Sequence, residues 1–204
     1  AVSMSKAPPD ITIIGVTEAG CMALAPDALA CIKAADHIFA SKRFHATIDT
    51  DGIIESWPTP FSDLTIKLEA TDGNIVILAT GDPLWFGVGA SLVTHFGHDR
   101  CVIMPAVSGF QMAASRMRWP LADCETVTVH GRPVTGIVPY LYPRARLLVL
   151  TANAQSAADI AALLVERGYG SAHMTVLGDI GGEHETRFDA IASAWAHADI
   201  SDFH

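Results

Sequence analysis

Charge is scarce in this sequence, and what there is runs one way. Only 17% of the 204 residues are charged, and 13 Lys and Arg face 22 Asp and Glu, for a formal charge of -9. No block of basic residues is present, which excludes a general nucleic-acid binder by its electrostatic footprint. Any anionic ligand has to be met by a local basic group. Long apolar runs are also missing: stretches such as Ile75 to Thr80 and Leu147 to Thr151 fall far short of the roughly 20 residues that cross a bilayer, so no membrane partner is expected. The four cysteines, Cys21, Cys31, Cys101 and Cys124, are widely spaced and form no CxxC pair, which argues against a disulfide framework and against a zinc site. No apolar signal core follows the start Ala1-Val2-Ser3-Met4-Ser5-Lys6; residues 1–10 read as a disordered, cloning-derived leader, and the expected location is the cytoplasm. What the sequence does have is a hydrophobic content of 50% and a mean hydropathy of +0.32, which exclude a disordered chain. Its length allows one large domain or two small lobes.

Ile11-Thr12-Ile13-Ile14-Gly15 is a β-branched run that ends in glycine, and Pro26 beyond the following loop suits the first residue of a helix. A helix from Pro26 to Asp36 places Ala25, Leu29, Ile32 and Ala35 on one face, and His37 to Ala40 returns as a strand. The opening is therefore βαβ with a right-handed crossover. Phe44 to Gly73 is irregular, with one helix near Ser62 to Glu69. Ile75 to Ala79 is continuously apolar, as strands covered on both faces are. A helix from about Trp85 to Phe96, a strand Cys101 to Met104, and a helix capped by Ser108 with Phe110, Ala113, Ala114 and Met117 on one face complete a first lobe. Alternating β and α segments predict a parallel sheet. Beyond Trp119-Pro120 strands dominate: Thr126 to His130, Leu147 to Leu150, Met174 to Leu177 and Thr186 to Phe188. One helix, capped by Ser156 and running to Glu166, lies among them. The expected lobes are 11–119 and 120–204.

The first loop, Gly15 to Gly20, has two glycines in place of the three of a dinucleotide turn, and Glu18 would repel a pyrophosphate. It reads as a strand-to-helix turn compatible with a neutral or cationic ligand. Thr80-Gly81-Asp82-Pro83-Leu84-Trp85-Phe86-Gly87 follows the best parallel strand, where open sheets place their ligand crevice. Asp82 there can accept from a ribose hydroxyl or an amino group, cap the next helix, or do both. Pro105-Ala106-Val107-Ser108 repeats a polar turn after the next strand, and two such turns make a shared crevice. Arg116, Arg118, His130 and Arg132 cluster around the expected lobe boundary and are candidates for carboxylate recognition, since arginine presents a bidentate fork. Ser41-Lys42-Arg43-Phe44-His45 is a weaker basic turn that reads as surface. Glu183-His184-Glu185 lacks a third ligand at metal-site spacing and reads as a solvated turn. Neither a G-x-S-x-G elbow nor a Walker loop is present.

Taken together, Ile13-Ile14-Gly15, Ala79 to Gly87, Pro105 to Phe110, Trp119-Pro120-Leu121 and His130-Gly131-Arg132-Pro133, in that order, resemble the tetrapyrrole (corrin/porphyrin) methylase family. The last two point to its branch that methylates carbon 5 of a precorrin in cobalamin biosynthesis. The resemblance implies the two-lobed class III methyltransferase fold, with a parallel sheet in the first lobe and a mixed sheet in the second. It further implies S-adenosylmethionine as cofactor in the cleft between lobes, a precorrin or corrinoid substrate, and a homodimer. Carried over by position, Gly81, Asp82, Trp85, Ser108, Gly109, Leu150, Thr151, Ala152 and Gly178 would line the cofactor, and Arg116, Arg118, His130 and Arg132 the substrate carboxylates. No catalytic residue and no metal ligand is implied. Where the family shows a Gly-x-Gly turn, this chain has Val16-Thr17-Glu18-Ala19-Gly20. Family members continue into another strand and, when fused, into a carbon-15 methyltransferase/decarboxylase domain, so the second lobe is expected to be truncated. A relative acting on another acceptor, diphthine or ribosomal RNA, and a non-catalytic tetrapyrrole-binding lobe remain the alternatives.

Overall fold

β-Branched side chains favour the extended backbone, and the Ile/Val-rich runs become the centre of a sheet. The computed structural model describes residues 10–195, which divide into two compact units, one ending at Ser108 and the next beginning at Gly109. In the first, β1 (Ile11–Val16), β2 (His37–Ala40), β3 (Ile53–Ser56), β4 (Ile75–Thr80) and β5 (Cys101–Met104) form one sheet in the order β3-β2-β4-β1-β5. Every pairing is parallel. α1 (Pro26–Lys33), α2 (Leu64–Glu69) and α3 (Val88–Phe96) connect the strands.

Alternation along the strands splits the core into two layers. Ile14, Val16, Ile38, Val76 and Leu78 pack with Ala28 and Ile32 of α1. Ile11, Ile13, Phe39, Ile75 and Ile77 pack with Leu64 and Leu68 of α2 and Leu92 of α3. Helices on both faces explain why β4 is apolar from Ile75 to Ala79. At the amino-terminal edge, Ile75 N donates to Asp10 O at 2.8 Å. The Asp10 carboxylate takes two bonds from Arg100, at 3.0 and 2.6 Å. Those bonds hold the carboxyl below its ordinary value. Asp10 is therefore part of the ordered sheet edge, whereas the rest of the expected leader, residues 1–9, lies outside the described residues.

The second unit contains α4 (Gly109–Met117), β6 (Glu125–Thr128), β7 (Leu147–Leu150), α5 (Ala154–Glu166), β8 (His173–Gly178) and β9 (Thr186–Ile191). β6 and β7 pair in parallel and β8 and β9 antiparallel, so both strand directions occur, in two separate ladders. Val127, Val129, Ile137, Ile160, Ala161, Leu164 and Trp195 form its core.

Local geometry departs from the sequence reading at five places. β3 was not expected, because it is a short edge strand with Ile53 58% exposed and has no continuous apolar run. α1 buries Ala28 with Ile32 and leaves Leu29 41% exposed, a face rotated by one residue. α3 starts at Val88 instead of Trp85, since residues 82–87 are taken up by a turn. α5 is capped by Asn153, whose side chain accepts from Ser156 N at 3.1 Å, so Ser156 is inside the helix. The two units meet at Ser108–Gly109 and not near Pro120, because α4 packs against β7 and belongs with the second unit. Residues 196–204, the end of the expected second lobe, lie outside the described residues.

Ile77 is fully buried, so Ile77→Ala should cost about 2–5 kcal/mol of stability. Ile53→Ala on the exposed edge should change it by no more than about 0.5 kcal/mol. Urea denaturation followed by circular dichroism checks both.

Candidate functional site

Parallel sheets offer ligands the carboxyl ends of their strands. There β1 and β4 end level, with Val16 opposite Thr80. The ladder continues past them: Gly81 N donates to Val16 O at 2.8 Å, and Ala106 N donates to Gly81 O at 3.2 Å. Gly15 sits inside this crossing of three backbones. A β-carbon there would stand 2.1 Å from Gly81 O and 2.5 Å from Ala106 N, and neither atom can swing away. Gly81 adopts φ 70, which favours glycine, with Ser108 Cα only 3.2 Å from where its β-carbon would be.

Asp82 comes next and closes a tight turn. Its Oδ1 accepts from Leu84 N at 2.9 Å and its carbonyl from Trp85 N at 3.1 Å. The side chain thus caps a turn, not α3, whose N-cap is Gly87. The turn is backed by buried Pro83, whose carbonyl accepts from Gly89 N at 2.9 Å, and it directs Leu84 and Phe86 outward. Ser108, buried, ends the turn after β5. The first unit therefore brings Gly81, Asp82, Trp85 and Ser108 to the carboxyl edge of its sheet.

One residue that the sequence reading left in a surface turn also stands at that edge. Arg43, in the 3-10 turn Lys42–Thr47 after β2, donates to Glu18 Oε2 at 3.0 Å and to Thr80 Oγ1 at 3.1 Å. It ties the first loop to the last residue of β4. Nothing local in Ser41-Lys42-Arg43 signals this; only the position of β2 beside β4 does.

In the second unit Leu150, the last residue of β7, and Thr151 and Ala152 beyond it form an exposed stretch, and Ala152 N donates to Ser156 Oγ at 3.4 Å. Gly178 is buried at the end of β8. The turn after it is stapled by backbone donors: His184 N to Asp179 Oδ2 at 3.0 Å and Gly181 N to Glu185 Oε2 at 2.7 Å. Arg116 of α4 grips Glu185 through Nε at 2.5 Å and Nη2 at 2.8 Å. The Arg116 bonds, assisted by the Gly181 N–H, push the Glu185 carboxyl down to about 2. Arg116 is thus engaged in holding the β8–β9 turn. Gly109 opens α4, on which Arg116 stands. Arg118 follows α4 at φ 55, exposed. His130 and Arg132 stand exposed on a different turn, after β6, where His130 N donates to Thr128 Oγ1 at 3.1 Å. The basic group that clusters in sequence is therefore divided between the end of α4 and the turn after β6. Among the described residues no set of three His, Cys, Asp or Glu side chains is placed to hold a metal ion.

Gly15→Ala should destabilise the protein by about 1–3 kcal/mol or more, because the added carbon runs into the backbones of Gly81 and Ala106. Gly136→Ala, with nothing near its β-carbon, should stay within about 0.5 kcal/mol; equal effects in chemical denaturation would refute the crossing constraint. For Glu185, a depressed carboxyl contributes stability above its unfolded value that is lost as the pH falls through its folded value. The difference in Tm between the native chain and Glu185→Gln should be constant from neutral pH down to about 4.5 and vanish toward about 2.

The profile of the Tetrapyrrole (Corrin/Porphyrin) Methylases matches residues 10–193. A precorrin-6Y C(5,15)-methyltransferase [decarboxylating] of Sinorhizobium sp. is 36% identical over 189 residues, covering 91% of this chain and 46% of that protein. The chain thus spans about half the length of such curated relatives. The cobalt-precorrin-7 C(5)-methyltransferase of Salmonella typhimurium is 30% identical, covering 86% of this chain and 87% of that protein. Among solved structures, the Archaeoglobus fulgidus precorrin-6Y methylase shares the fold at TM-score 0.62 and 22% identity, with 90% of each chain covered. A Thermus thermophilus uroporphyrin-III C-methyltransferase, solved with S-adenosyl homocysteine, does so at TM-score 0.65 and 19% identity, covering 90% of this chain and 83% of that one. A two-unit α/β chain with a parallel first sheet, matched over nearly its whole described length, belongs to the tetrapyrrole (corrin/porphyrin) methylase family.

Proposed function

We propose that the chain is an S-adenosylmethionine-dependent C-methyltransferase that methylates carbon 5, a meso carbon, of a precorrin in cobalamin biosynthesis. The observation that carries this is the turn at Asp82, fixed at the carboxyl end of β4 beside a three-backbone crossing that leaves no room for side chains. Those features fit a nucleoside-like cofactor. Gly15 and Gly81, both buried, let the backbones close up beside the turn, and Asp82 presents a carboxylate with one oxygen committed to Leu84 N and the other assigned here to a hydroxyl or amine. When bound, the cofactor supplies a sulfonium methyl group to an electron-rich carbon.

The protein's part is alignment and exclusion of water, which alone can lower a barrier by roughly 7–11 kcal/mol at best. No nucleophilic His or Cys is needed, and none is assigned. In this reading Gly81, Asp82, Trp85, Ser108, Gly109, Leu150, Thr151, Ala152 and Gly178 contact the cofactor. Arg118, His130 and Arg132 receive substrate carboxylates, and Arg116 acts through Glu185 to hold the turn that follows Gly178. The likeness to a cobalt-precorrin-7 C(5)-methyltransferase over most of both chains supports assigning the chain to the carbon-5 step. The carbon-15 methylation and decarboxylation then fall to a fused or separate domain. We assign the working form as a cytoplasmic homodimer, in keeping with the family.

Calorimetric titration with S-adenosylhomocysteine should show one saturable site per chain. Asp82→Ala should weaken it at least about tenfold, the loss of a hydrogen bond to a charged group, with the circular dichroism spectrum unchanged. Full affinity in Asp82→Ala would remove Asp82 from the site; absence of binding by the native chain would overturn the methyltransferase assignment.

A further inference from the structure

Arg43 is anchored in a way that an ordinary surface arginine is not. Its Nη2 is fixed by the neutral hydroxyl of Thr80 at 3.1 Å, and its guanidinium carbon lies 4.6 Å from the centre of the Phe44 ring, itself buried. Neither contact cancels its charge. Among the described residues Glu18 is the carboxylate that does so, through a single oxygen on Nη1 at 3.0 Å; the Arg43 side chain remains 44% exposed and that of Glu18 22%. A partly exposed, one-point ion pair is worth little in water. A bidentate carboxylate on the same guanidinium gains two parallel bonds and is stronger.

The position is as telling as the chemistry. Thr80 directly precedes Gly81 and Asp82, and Glu18 lies in the loop after β1, so the cation stands at the carboxyl end of the two central strands. A chain of charge -9 repels a polyanionic ligand at long range, and recognition must come from cations fixed at the site. We propose that Arg43 is a receptor for a carboxylate side chain of the substrate, with Thr80 and Phe44 orienting its fork and Glu18 as the internal anion that the substrate carboxylate replaces. The proposal rests on the reading of the substrate as a carboxylate-edged tetrapyrrole. It adds as a substrate contact a residue that the sequence reading left in a surface turn.

The test uses the whole chain and two probes, uroporphyrin and its methyl ester, followed by fluorescence titration, beside calorimetry with S-adenosylhomocysteine. The native chain should bind the acid more tightly than the ester. Arg43→Ala should weaken the acid about tenfold and leave the ester and S-adenosylhomocysteine unchanged. Arg43→Lys should recover part of the loss, because it restores the charge without the fork. Glu18→Gln should tighten the acid, since it removes the competitor. Equal binding of acid and ester by the native chain, or undiminished acid binding in Arg43→Ala, overturns the proposal. Parallel loss of acid, ester and S-adenosylhomocysteine in Arg43→Ala also overturns it, by making Arg43 a structural strut. Failure of the native chain to bind S-adenosylhomocysteine while acid binding still depends on Arg43 would instead overturn the methyltransferase reading and leave the receptor standing.

Discussion

The first unit depends on one steric constraint: three backbones meet where only a glycine fits. Gly15 lies against Gly81 O and Ala106 N, so β1, the turn after β4 and the turn after β5 converge without an intervening side chain. Backbone hydrogen bonds then run from Val16 to Gly81 and on to Ala106, which sets the level at which each strand ends. The Asp82 turn, the buried Ser108 and the Thr80 hydroxyl that holds Arg43 all take their places from that convergence. The constraint is geometric and not energetic in origin, since no contact made by a glycine could compensate for moving a backbone.

A second organising feature is the use of arginine. In a chain with few cations, Arg100 grips Asp10 at the start of the sheet, Arg116 grips Glu185 beside the β8–β9 turn, and Arg187 pairs with Asp189 on β9. These pairs use the guanidinium fork on two nitrogens and join segments distant in sequence in the first two cases. Their partners are carboxylates held below their ordinary values by those bonds. Arg43 differs, because its two nitrogens go to two different residues and only one of them is charged. That division separates arginines that hold the fold from one arranged to be shared.

Much of the fold was legible in order and kind. Continuous apolar runs marked β1 and β4 because both faces of a parallel sheet are covered, and Pro26, Gly97 and Gly168 marked helix boundaries because proline and glycine restrict or release the backbone in known ways. β3 was illegible because an edge strand needs apolar residues on part of one face only. The start of α3 was misread because Asp-Pro signals a helix start and a turn alike; the choice depends on Gly87 and Gly89, which let the chain close over Pro83. The placement of α4 depended on which sheet it packs against, which periodicity does not state.

The candidate site divides the same way. Gly81 and Asp82, directly after the buried run of β4, and Ser108, at the end of the turn after β5, could be picked out as candidates from the sequence, because glycine and small polar residues gather where strands end and ligands approach. So could the family, through short segments recurring in order. What the sequence by itself determined was the element order, the parallel first sheet and the turns at its carboxyl edge, each a consequence of local backbone preference and hydrophobic period. Only the tertiary structure decided that Arg116 belongs to Glu185, that Arg43 reaches both Glu18 and Thr80, and that Gly15 cannot be anything larger. Pairings of that kind join residues dozens of positions apart, and they exist only once strand order has brought their backbones together.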